Sequence, residues 1–86
     1  MNPEIVQMRA DLALLRRKAS KLREEAAGLI VLIRMKVSPY GEAAVLSCDT
    51  KKALELMQRL HEVKTELSAA LESVKELEEA LGVGHE

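Results

Sequence analysis

Five cations fall between positions 16 and 23: Arg16, Arg17, Lys18, Lys21 and Arg23. Grouped charges of this kind can neutralise phosphate oxygens, with counterion release driving salt-sensitive binding to nucleic acid. The five spread around any helix that carries them, however, and Glu24 and Glu25 follow at once. The chain as a whole has a net charge of -1 and shows no zinc-finger or glycine-rich phosphate motif. The expected role of these residues is therefore a solvated face that pairs with acidic residues elsewhere. Phosphate contact through the Arg16–Arg23 face, in a nucleic-acid-associated helical module, is the alternative reading.

The other groups with chemical potential point to no catalytic centre. His61 is followed by Glu62, but Thr65 stands where an H-E-x-x-H zinc motif needs its second histidine. His61, Cys48 and the nearby carboxylates also lack a recognisable zinc spacing. Cys48 has no neighbouring histidine or second cysteine to activate it, so it reads as a small residue at a helix start. Glu76, Glu78 and Glu79 supply carboxylates, yet general acid–base work needs positioned groups rather than acidic composition. Tyr40, the single aromatic residue, lies in a Ser-Pro-Tyr-Gly turn, where its ring can cap a bundle or anchor a partner. We expect no enzyme activity and assign no catalytic, metal-binding or cofactor-binding residue.

The elements that would carry these side chains are set by two apolar series. The first is Ile5, Met8, Leu12, Leu15, Ala19, Leu22, Ala26, Leu29 and Ile33; the second is Ala53, Leu56, Leu60, Val63, Leu67, Ala70, Val74, Leu77 and Leu81. Both alternate steps of three and four, the heptad spacing that draws one seam along a helix. The sequence thus predicts one all-α domain over residues 1–86: a helix over 3–36, a connector over 37–48, a helix over 49–81 and a frayed tail over 82–86. Asn2 and Asp49 are the expected N-caps, Pro3 suits a first helical turn, and Gly82 can end the second helix in a left-handed conformation. At 1.5 Å per residue each helix would extend about 50 Å, so the two can close on each other as a long antiparallel hairpin with coiled-coil-like packing.

Charge favours that closure. Residues 1–40 carry eight Lys or Arg against four Asp or Glu, and residues 41–86 carry five against ten. An antiparallel register in which paired residue numbers sum to about 84–87 places Lys18 near Glu66, Glu25 near Arg59 and Arg9 near Glu78, each exposed pair worth about 0–1 kcal/mol. Leu12, Leu15, Leu22, Leu60, Val63 and Leu67 are the expected intrachain packing residues. Residues 29–48 admit a rival reading as a β-hairpin, because Ile30, Val31, Ile33 and Val37 are β-branched and Gly28 precedes them. An uncovered two-stranded hairpin is marginal, and the heptad series runs on through Leu29 and Ile33, so helix is the preferred expectation.

Apolar residues also occur where one seam does not need them. Ile30, Val31, Leu32, Val45, Leu46, Leu54 and Met57 cluster in sequence around the bend, with Leu14 and Leu71 further along the arms. Surplus of this kind marks association. Its expected use is a homodimer or higher homo-oligomer that closes into a four-helix bundle; a helical protein partner is the second use, and a connector folded down over the surplus is the third.

Composition agrees with a helical interaction module. Hydrophobic residues make up 48% of the chain and charged residues 31%, while near-absence of aromatic rings disfavours a stacking surface for single-stranded nucleic acid. A lone cysteine, no signal-peptide pattern after Met1 and an apolar run no longer than Leu29–Ile33 lead us to expect a cytoplasmic protein without a membrane span. The expected function is that of a small adaptor, assembly factor or chaperone-like subunit acting without covalent chemistry.

Overall fold

A computed structural model describes residues 2–37, 46 and 48–82, and these carry two long helices, α1 (Pro3–Val37) and α2 (Thr50–Leu81). Local signals fix three of the four helix ends. The Asn2 side chain accepts a hydrogen bond from the Glu4 backbone N–H at 2.9 Å, so an otherwise unsatisfied donor of the first turn is capped. Asp49 does the same for α2, accepting from the Lys52 N–H at 3.0 Å. Gly82 ends α2 with φ 72°, a left-handed conformation in which its N–H reaches back to the carbonyls of Glu78 and Glu79. That conformation is where glycine's missing Cβ matters.

The helices form an antiparallel hairpin. Glu25 meets Arg59 and Arg16 meets Glu78 across the pair, while the Asp49 N–H donates to the Lys36 carbonyl at 3.3 Å beside the bend. The molecule extends 66 × 24 × 14 Å, two helices wide and one helix thick. A single layer of this kind has only one place for a core, between α1 and α2.

Both heptad series occupy that place. Leu12, Ala19, Leu22, Leu29 and Ile33 of α1 are buried, as are Ala53, Val63, Ala70 and Val74 of α2. Val63 is 0% exposed and lies in the central cluster with Ala19, Leu22, Leu29 and Ala70, against which Ala26, Leu56, Leu60 and Leu67 pack partly buried. Small residues on both sides of the seam let the helices approach closely at the cost of buried area. Each fully buried large aliphatic side chain contributes about 1.5–3 kcal/mol.

Residues 29–37, for which a β-strand was the rival, are helical throughout. Their β-branched side chains lose rotamer freedom in a helix, but burying Leu29 and Ile33 on the seam outweighs that preference. α1 runs one residue further than expected, to Val37. The turns expected over 38–45, the Tyr40 cap and the tail over 83–86 lie outside the described residues.

Candidate protein-interaction surface

The outer surface of the hairpin changes character along its length. In the middle of α1, Arg17, Lys18 and Lys21 surround a shallow groove floored by Leu14 and Leu22, with Glu25 at its edge. At the same level α2 presents His61, Lys64, Thr65, Ser68, Ala69 and Glu72. Apart from the buried Leu22, the residues of both faces are exposed. All five members of the Arg16–Arg23 cluster are exposed, and they point in several directions because successive residues are about 100° apart around a helix.

One member is engaged within the chain. Arg16 donates from Nη2 to Glu78 Oε1 at 3.1 Å. Glu78 was expected to meet Arg9, and this pairing corrects that register. Helical side chains lean toward the N-terminus of their own helix, so in an antiparallel pair Arg16 and Glu78 lean toward each other and close a long axial offset. Lys18 and Glu66 likewise form no salt bridge. Arg59 and Glu25 do meet, through Nε to Oε2 at 2.8 Å and Nη2 to Oε1 at 3.1 Å, a bidentate fork that suits guanidinium and carboxylate geometry. Glu62 accepts from Nη1 of the same arginine at 3.3 Å. The hydrogen bonds to Glu25 first and Glu62 second hold the Arg59 guanidinium above its ordinary range. It is thus a fixed charge that clamps the middle of the hairpin and is committed to its own chain.

At the bend the outer surface is apolar. Ile30, Val31, Leu32, Met35 and Val37 of α1 and Leu54 and Met57 of α2 are all exposed, Met35 and Leu54 to 71% each. Leu46 is 93% exposed, and Val45 lies outside the described residues. Between the two helices Ile33, Val37, Thr50, Ala53, Leu54 and Met57 line a groove of about 340 Å³. Leu14 and Leu71 are exposed singly along the arms, which is ordinary for a soluble surface. The expected intrachain residues Leu12, Leu22 and Val63 are buried, and Leu15, Leu60 and Leu67 are half-buried.

Met35 and Val37 extend the patch beyond the residues singled out from sequence. Seven of the nine residues from Leu29 to Val37 are apolar, and at about 100° per residue they occupy nearly the whole circumference, interrupted by Arg34 and Lys36. Reading the circumference rather than the seam would have found them. A helix apolar on all sides is one that packs on several sides.

Among the described residues no group of three or more His, Cys, Asp or Glu could hold a metal ion, and no helix is long and apolar enough to cross a membrane. Cys48 is half-buried just before the Asp49 cap. Comparison with known proteins finds no matching family model, no matching curated protein and no matching solved structure.

Proposed function

We propose that this chain is a non-enzymatic protein-interaction module that self-associates through its bend end into a four-helix bundle, serving as a small cytoplasmic adaptor, assembly factor or chaperone-like subunit. The single observation that carries the reading is the last two turns of α1, apolar around most of their circumference, with Arg34 and Lys36 interrupting it, yet packed on only one side. Total accessible area points the same way. The chain exposes 6745 Å², against about 5,000 Å² for a compact globule of its mass. The elongated shape accounts for that excess, and a single layer of two helices leaves both broad faces open to a second layer.

Recognition here is noncovalent. A partner helix laid over Val37, Leu54 and Met57, which line one groove, would remove apolar surface from water, and the charged midsection would keep the arms dispersed. The exposed cations give the nucleic-acid reading little support, since Arg16 is engaged by Glu78, Arg23 lies off the face that Arg17, Lys18 and Lys21 share, and Glu25 borders that face. The test is solution mass measured across concentration by sedimentation equilibrium. The expected result is a species of about 19 kDa, twice the 9.5 kDa chain. A mass fixed at 9.5 kDa up to millimolar concentration would overturn self-association.

A further inference from the structure

We propose that the groove at the bend is the docking site of an acidic amphipathic helix from another protein, whose carboxylates reach the cations bordering that groove on the same face of the hairpin. The inference goes beyond the self-association reading. A second copy offers apolar cover through its bend end, whereas an acidic helix offers that cover and the carboxylates this face lacks.

Both heptad series stay buried or half-buried along the seam apart from Ile5, so residues seven apart keep to one side of it. The Arg16–Glu78 pair marks one of the two sides. Steps of seven from Arg16 lead to Arg23, Ile30 and Val37, and steps of seven back from Glu78 lead to Leu71, Lys64, Met57 and Thr50. Val37, Thr50 and Met57 do share one groove, about 340 Å³ in volume. The face therefore runs from an apolar groove at the bend to Arg23 and Lys64, each about 10 Å further along its helix.

The charge on this face is one-sided. Arg34, four residues from Ile30 and three from Val37, borders the groove. Arg23, Arg34 and Lys64 are exposed, and none has an ion-pair partner among the described residues. Between Glu78 and the bend the same residues place no carboxylate on this side. Glu24 and Glu55 lie off it, Glu55 is held by Lys52 at 3.6 Å, and Asp49 is occupied as the cap of α2. Lys36, Lys51 and Lys52, in the turns around the bend, add to a positive field that draws a negatively charged partner. The opposite face is already balanced, because Arg59 bridges the two helices to Glu25 and also holds Glu62. A helix that lays apolar residues into the groove at three- and four-residue spacing would present its Asp or Glu about two turns further on, level with Arg23 and Lys64.

Fluorescence anisotropy tests this with a labelled peptide of about three heptads, Leu along one stripe and Glu on its flanks, against a peptide carrying Lys in place of Glu. The Glu peptide should bind roughly tenfold more tightly, and added salt should narrow the difference. Arg23→Glu with Lys64→Glu should invert the preference while circular dichroism shows unchanged helicity. Lys18→Glu with Lys21→Glu, on the Glu25 side, should preserve it. Equal affinity for the two peptides would overturn the inference. So would a preference lost with the Lys18 and Lys21 changes and kept with those at Arg23 and Lys64. Mass measured on the same samples separates the two readings. A dimer that binds neither peptide would overturn the acidic-helix assignment alone, and a chain that stays at 9.5 kDa yet binds the Glu peptide selectively would overturn self-association alone.

Discussion

The middle of the hairpin and its bend end are built from the same two helices but satisfy their side chains differently. In the middle, one stripe of each helix is apolar and turned inward, and the remainder is mostly charged or small, with Leu14 and Leu71 as isolated exceptions. Ala19, Leu22, Val63 and Ala70 fill the seam there, while Arg59 is clamped between Glu25 and Glu62 outside it. Nothing in that section calls for a further layer. At the bend, Ile33 and Ala53 continue the seam, yet Ile30, Leu32, Met35, Leu54 and Met57 lie on the far sides of the same turns. The difference teaches that heptad spacing settles how the chain folds on itself, and that departures from the spacing show where folding leaves surface unused.

Disrupting the midsection should have the largest effect. Val63→Asp puts an unpaired carboxylate at a site with no solvent access, a cost of several kcal/mol that a two-helix seam cannot absorb. The expected outcome is loss of the cooperative melting transition and most far-ultraviolet helical signal. Leu60→Asp, at a half-buried position, should do less damage but still lower the melting midpoint clearly. If Val63→Asp melted like the native chain, the seam would not be the core.

A smaller change sharpens the boundary between the regions. Gly28 lies inside α1 just before the apolar turns, is exposed, and has open space where a Cβ would sit. Gly28→Ala should therefore stabilise the hairpin by about 0.5–1 kcal/mol, raising the midpoint by roughly 4 °C, because alanine lowers the entropic cost of helix formation. A fall in the midpoint would mean that this position needs glycine for contact with something outside the hairpin.

Much of this arrangement was legible from sequence because its causes are local. Asn2, Asp49 and Gly82 act within a few residues of themselves, so their capping roles follow from residue type and position. The seam followed from periodicity, and both series are buried or half-buried apart from Ile5 at the open end. The ion pairs were harder. Glu25 and Arg59 could be matched by register, but Glu78 takes Arg16 instead of Arg9, since the lean of long side chains enters the geometry and the residue count does not contain it. At Ile30, Val31 and Ile33 β-branched propensity offered a strand as a rival, but the heptad series through Leu29 and Ile33 favoured helix, and packing of those two residues against α2 bears that preference out. Met35 escaped notice because attention to the seam hides what lies opposite it. The bend patch was visible as a surplus of apolar residues, but the groove between Val37 and Met57 required two helices in place.

The concentration dependence of thermal melting tests most directly whether the bend end recruits a second copy. Association favours the folded state by mass action, so the native chain's midpoint should rise with each tenfold increase in concentration. Leu54→Glu, which places a charge at a position 71% exposed in the single chain, should melt at one midpoint throughout and retain its helicity. A native midpoint that does not move with concentration, matching the variant at every dilution, would contradict the account.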